Sequence, residues 1–308
     1  MPKTTRLFVV LLILPWFFLS CGGSKNLLKE IPTTINTVKT GKDYKQKVAV
    51  ALIQSPVTAL GRATGERFFK ILVDAIRNED SRSLLVSPGD AGYPDFMAKL
   101  SNPSSSPISA VALTEAGKQA GYQGLVTAAV TDIRVHTRKT GLLWFRDTRY
   151  FIHFSVTVDL YDPFTAAKIV SKVIEASTKI SEDDYGAFKR DEASSIEDLN
   201  DEIEDVAEDL GEIVGEALKA QKWRTAVVKV QQGRVFIPSG RQAGVREGDR
   251  LVLFEGRRRL EGRQGEKFIA PGYELGEIRI VAVSEQMAEA TVPNLVNVQV
   301  GDILVPAK

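Results

Sequence analysis

One cysteine, Cys21, and two histidines, His136 and His153, are all the thiol and imidazole chemistry in a chain of 308 residues. A single thiol excludes an internal disulfide, a cysteine-built metal cluster and a CxxC redox pair. Two imidazoles set this far apart do not make an HExxH helix, so no metal site is expected. The segment Gly61-Arg62-Ala63-Thr64-Gly65-Glu66-Arg67 lacks the Lys-Ser/Thr ending of a phosphate loop and falls inside a helical pattern, where packing explains it better. There is no GxSxG nucleophile elbow. The expectation is a non-enzymatic chain with no catalytic residue and no cofactor.

Cys21 then needs another role. Lys3 and Arg6 precede an apolar run over residues 7–19, interrupted at Pro15, and Ser20, Cys21, Gly22 and Gly23 follow. The run falls short of the roughly 20 residues that a membrane-spanning helix needs, and its layout is that of a signal peptide. Leu19, Ser20 and Cys21 resemble the lipobox of bacterial lipoproteins, with Phe18 where Leu is usual. That resemblance implies cleavage before Cys21 and lipid on its sulfur and new amino group. Several acyl chains, at about 0.8 kcal/mol per buried methylene, hold a protein on a membrane where one chain does not. Gly22 in place of Asp implies, by the sorting rule of enterobacterial lipoproteins, the periplasmic face of the outer membrane.

The rest of the chain must present something from that anchor. With 44 % hydrophobic and 26 % charged residues it has the composition of a folded globular protein. Its formal charge of +1 gives no field to attract nucleic acid. The length points to two domains. Residues 1–20 are read as signal peptide and residues 21–45, polar and aperiodic, as a lipidated tether. Residues 46–221 make an α/β domain and residues 222–308 a small all-β domain.

Within the first domain, "KVAVALI" at 47–53 reads as a buried strand, and apolar residues from Leu60 onward fall at helical spacing. "SLLVS" at 83–87 reads as a second strand, followed by helical segments at 93–100 and 110–120 on either side of the breaker cluster NPSSSP. Three long β runs follow; in the middle one Ile152, Phe154, Val156, Val158 and Leu160 alternate with polar residues, the mark of a half-buried antiparallel strand. Ile196, Leu199, Ile203, Val206, Leu210, Ile213 and Ala217 then form one stripe on a helix of about 25 residues. Between 182 and 216 fifteen acidic residues face two basic ones, so its outer side is either a solvated face or a docking surface for a basic partner.

After Trp223 short strands alternate with glycine turns, among them Glu247-Gly248-Asp249 and Val300-Gly301-Asp302. Two further features are candidate contacts. Leu142, Leu143, Trp144 and Phe145 sit at a hairpin connection, where large apolar residues either fold back over the sheet or meet a protein or membrane. Arg257, Arg258, Arg259 and Arg263 form a basic loop, which is an intramolecular partner for the acidic helix, a peptidoglycan or lipid contact, or solvated surface.

The segments "KVAVALI", "GYQGLVTAAVTDIRV" and "FSVTVDLYDPFTAAKIVSKVIEA" resemble the domain shared by the TolB amino-terminal part, the curli secretion lipoprotein CsgG and lipoprotein activators of penicillin-binding proteins, with Gln123 where Asp is usual and Ala167 where a turn Gly is usual. "GRVFIPSGRQAGVREGDRLVLF" and "LGEIRIVAVSEQMAEATV" are similar to the carboxyl-terminal domain of the flagellar assembly protein FlgT. The resemblances imply an α+β fold: a five-stranded mixed sheet packed by helices, followed by a small SH3-like barrel. They also imply a scaffold or assembly factor for an envelope complex such as the flagellar basal body, with envelope proteins as partners. The alternatives are an oligomeric secretion channel and an activator of a cell-wall synthase. A homo-oligomer is a further expected arrangement.

Overall fold

The computed structural model describes residues 44–53, 59–100, 109–141, 147–192, 196–256, 258–263, 265, 267–270, 272–292 and 297–307, all within one compact unit. Cys21 lies outside the described residues, as do Leu142, Leu143, Trp144, Phe145 and Arg257.

The described residues open with β1 (Gln46–Leu52), α1 (Ala59–Glu79), β2 (Ser83–Val86), α2 (Asp95–Leu100) and α3 (Ala110–Gln119). Three long strands follow, β3 (Gly124–Thr140), β4 (Asp147–Asp162) and β5 (Ala167–Ile180), then α4 (Glu182–Lys189) and α5 (Glu197–Ala220). Sheet order is β2-β1-β3-β4-β5. β1 runs parallel to β2 and β3, and β3, β4 and β5 form an antiparallel meander, so the sheet is five-stranded and mixed as expected.

The alternation in β4 decides which side is covered. Ile152, Phe154, Val156, Val158 and Leu160 are fully buried. They meet Phe68, Leu72 and Ile76 of α1 and the stripe Leu199, Ile203, Val206, Leu210, Val214 and Leu218 of α5 in one core. On the other side of the sheet, Ala49, Ala51 and Leu125 pack with Met97 of α2, Leu113 of α3 and Tyr122 in a smaller core. The segment 61–67 is part of α1, with Thr64 buried and Arg67 reaching Glu204 of α5 at 3.0 Å.

α1 and α5 approach at backbone distance because α5 carries glycine where they cross. A Cβ built on Gly211 would stand 2.3 Å from the Cβ of Ala75, and one on Gly215 would stand 2.5 Å from the Cβ of Glu79. One turn of helix separates the two glycines, so both lie on the stripe that meets α1.

The carboxyl-terminal region holds β6 (Thr225–Ala226), β7 (Lys229–Gln231), β8 (Arg234–Ile237), β9 (Arg250–Phe254), β10 (Arg258–Glu261), β11 (Lys267–Ala270), β12 (Glu274–Val283), β13 (Ala288–Thr291) and β14 (Ile303–Pro306). Seven of these form one curled antiparallel sheet in the order β6-β14-β9-β12-β13-β8-β7; β10 and β11 pair separately as a hairpin. The expected barrel is thus a half-barrel, with β6 and β7 at its two edges. Its core gathers Val235, Ile237, Leu251, Leu253, Ile278, Ile280, Ala290 and Leu304. Gly248 and Gly301 take φ of +87° and +94° in the two Gly-Asp turns. In each, the Asp carboxylate accepts a backbone N–H three residues earlier: Asp249 from Arg246 at 3.0 Å and Asp302 from Gln299 at 2.8 Å.

Replacing Gly211 with Val inserts side-chain volume where Ala75 already stands, and overpacking of this kind costs about 1–3 kcal/mol. The expected result is a lower denaturant midpoint for Gly211→Val and partial recovery when Ala75→Gly is added. Equal midpoints for the single variant and the natural chain would show that the helices do not need the close approach.

Candidate interaction surfaces and the domain junction

The β4–β5 turn joins the two regions. Asp162 accepts the N–H of Phe164 at 2.9 Å and the hydroxyl of Thr165 at 2.7 Å, which folds the turn through side-chain to backbone bonding. Both oxygens of the same carboxylate also accept from one nitrogen of Arg224, Nη2, each at 3.0 Å. Asp162 is buried and the Arg224 side chain retains 21 % exposure. The Arg224 guanidinium also lies 4.9 Å above the Phe164 ring. Phe164 is itself buried against Ala226 and Ile303 of the carboxyl-terminal sheet.

Gln123 holds the other side of Arg224. Its Oε1 accepts the Arg224 N–H at 3.0 Å, and its Nε2 donates to the Arg224 carbonyl. An amide can do both, whereas a carboxylate can only accept; this is what Gln contributes at a position where the resembling family has Asp. Ala166 occupies the left-handed position of the turn, with φ of +58°.

A second seam is formed by residues placed at the end of the expected tether. Tyr44 stacks on Trp223 with ring centroids 4.6 Å apart, and its hydroxyl donates to Asp249 Oδ2 at 2.9 Å. Trp223 Nε1 donates to the Lys45 carbonyl at 3.2 Å, and the Lys45 N–H donates to the Ala243 carbonyl at 3.0 Å. Tyr44 is therefore part of the carboxyl-terminal core immediately before the chain enters β1.

The candidate contacts separate in space and kind. β3 and β4 pair out to Thr140 and Asp147, so Leu142, Leu143, Trp144 and Phe145 connect the two ends of a long hairpin. Near that end His136 is exposed and stacks on Phe151 at 5.2 Å, while His153 is half-buried on the polar side of β4. Among the described residues no group of His, Cys, Asp and Glu side chains has the arrangement of a metal site. No helix of the described residues is long and apolar enough to cross a membrane.

The acidic face of α5 borders a groove of about 450 Å³ shared with α1 and lined by Asp74, Glu79, Glu204, Glu208 and Glu212. Part of this charge is matched locally: Arg67 meets Glu204 at 3.0 Å, Lys219 meets Glu79 at 3.0 Å and Arg77 meets Asp74 at 2.6 Å. The basic loop is a structured element. Arg258 and Arg259 lie exposed on β10, and Arg263 is exposed beyond it. None of these three arginines forms an ion pair with the acidic helix among the described residues. Ile269 of β11 ties the hairpin to the other region by donating its N–H to the Thr165 carbonyl at 2.9 Å.

With that geometry in place, one region of the chain matches a known family. Residues 232–306 match the family described as flagellar assembly protein T, C-terminal domain. The match covers β8 to β14, that is, the half-barrel without its two edge strands β6 and β7, together with the β10–β11 hairpin. No curated protein matches the chain. Solved structures similar to it include the hypothetical protein CT253 from Chlamydia trachomatis, 16 % identical with a TM-score of 0.37, covering 57 % of this chain and 99 % of that one. The PelC dodecamer from Paraburkholderia phytofirmans is 15 % identical with a TM-score of 0.31, covering 59 % and 91 %. A minor lipoprotein from Acinetobacter baumannii is 9 % identical with a TM-score of 0.29, covering 56 % and 94 %.

Asp162→Ala leaves the Arg224 guanidinium largely buried without its partner, and breaking such a pair costs about 3 kcal/mol; the loss is read from denaturant unfolding, with Arg224→Met in the same chain recovering part of it. Ala166→Gly removes a left-handed backbone penalty and is expected to raise stability by about 0.5–1 kcal/mol in the same assay. A third prediction concerns alkaline pH. Burial, then the charge of Tyr93, pushes the Tyr122 hydroxyl up to about 12, and burial followed by Asp249 raises Tyr44 further. Unfolded tyrosine ionises near 10, so above that pH the native state holds protons that the unfolded chain releases. Stability is then full below about pH 10 and falls as pH rises towards the native values. Tyr44→Phe should flatten the fall in denaturant midpoint; a midpoint independent of pH in this range would contradict the assignment.

Proposed function

We propose that the protein is a non-enzymatic assembly factor of a bacterial envelope complex, anchored by lipid on Cys21 to the periplasmic face of the outer membrane, and that the complex is of the flagellar basal-body type. The observation that carries this reading is the match of residues 232–306 to the flagellar assembly protein T carboxyl-terminal domain. The two seams support it, because they make that domain and the α+β domain a single body fit to hold partners at fixed separation. The lipobox supports the location.

The secretion-channel reading asks the β3–β4 hairpin to face lipid. Strands of about 9–11 residues span a bilayer, and these are long enough. Their outer halves carry Arg134, Arg138, Lys139 and Arg149 on alternate and adjacent positions of both faces. Each such cation costs about 2–4 kcal/mol at the bilayer midplane, which favours a hairpin in water over one in lipid.

Two experiments test the proposal. Cys21→Ala should release the protein from membranes or leave an uncleaved precursor, and unchanged processing with unchanged membrane association would defeat the anchor. A photo-crosslinking residue at position 144, activated in cells, should capture flagellar basal-body components. Capture of a cell-wall synthase, or only of further copies in a pore-sized ring, would replace the flagellar reading with one of the alternatives.

A further inference from the structure

The β10–β11 hairpin is cationic and amphipathic at once. Residues 257–270 contain Arg257, Arg258, Arg259, Arg263 and Lys267 against Glu261 and Glu266. The register sets Arg258 opposite Ala270, Arg259 opposite Ile269, Leu260 opposite Phe268 and Glu261 opposite Lys267. Alternation therefore places Arg258, Leu260, Phe268 and Ala270 on one face and Arg259, Glu261, Lys267 and Ile269 on the other. Leu260 keeps 48 % of its surface in solvent beside the half-buried Phe268. Arg258, Arg259 and Arg263 are exposed and make no ion pair among the described residues. The hairpin stands outside the seven-stranded sheet and is fastened at its base through Ile269 and Thr165.

We propose that this hairpin is a contact element for an anionic bilayer surface, with the arginines among the lipid phosphates and Leu260 with Phe268 at the headgroup boundary. An acidic protein surface would satisfy the arginines but set the Leu260–Phe268 pair against carboxylates; an anionic bilayer interface accommodates both kinds of side chain. The acidic groove of a second copy is a poorer match for the same reason, and three of its carboxylates, Glu204, Asp74 and Glu79, already hold Arg67, Arg77 and Lys219. The contact goes beyond the proposed assembly role and does not depend on lipid at Cys21.

The test uses the whole chain with Leu260→Cys carrying the environment-sensitive fluorophore NBD. Labelling of the unsubstituted chain reports separately whether the Cys21 thiol is free, so a failed anchor and a failed hairpin contact are told apart. With vesicles of phosphatidylcholine plus phosphatidylglycerol the emission should shift to the blue, and with phosphatidylcholine alone it should not. Each neutralisation among Arg258→Gln, Arg259→Gln and Arg263→Gln should lower the contact equilibrium about fivefold, and the triple variant about 100-fold. The single variants keep the test readable if the triple variant misfolds, and raised salt should imitate them. An equal shift with both vesicle types, no shift with either, or a shift only on self-association or on addition of an acidic protein would overturn the proposal.

Discussion

The Asp162 carboxylate is the constraint on which the arrangement of the two regions rests. It folds its own turn through Phe164 and Thr165, and with its remaining capacity it takes Arg224 Nη2 on both of its oxygens. A carboxylate buried to this degree is tolerable only when its lone pairs are filled. Three donor groups fill them, the Phe164 N–H and the Thr165 hydroxyl from its own turn and Arg224 Nη2, bonded to both oxygens, from the region it holds. The turn cannot change shape without releasing Arg224, and Arg224 cannot move without exposing the cost of the buried charge. Phe164 adds an apolar wedge under the same guanidinium, so charge pairing and burial act at one place.

Much of the α+β fold was legible because its signals are local. The period of two in β4 and the stripe on α5 depend only on neighbours in sequence, and both elements stand where the pattern puts them. α4 was less visible, since its eight residues offer only Ala187 as a buried position. The signal that marks it is the capping box, in which Ser181 and Asp184 bond reciprocally. The arginine run looked like a loop because four residues of β10 are too few for a period to emerge, and because its pairing with β11 is separate from the main sheet.

The junction was not legible, for a different physical reason. Gln123, Asp162 and Arg224 lie far apart in the chain, and each is unremarkable in its own segment. Their importance comes from complementarity, which periodicity and composition do not encode. Tyr44 is a similar case: in a polar stretch it looks like part of a tether, and only the facing ring of Trp223 and the carboxylate of Asp249 give it a place. Gln123 is the exception that sequence comparison could approach, because its departure from the resembling family coincides with a site that needs a donor and an acceptor on one side chain.

The position of Tyr44 has a mechanical meaning. Tyr44 is the first described residue on the side of Cys21, so a pull applied at Tyr44 is met first by the Tyr44–Trp223 stack. From there the load divides. One path runs through the tyrosine hydroxyl and the Lys45 backbone into the half-barrel; the other runs along β1 into the centre of the mixed sheet, where β1 is hydrogen-bonded on both edges. A strand held by two neighbours in parallel register resists shear more than one peeled from an edge, so tension on the chain would be carried by many bonds together instead of being met one at a time.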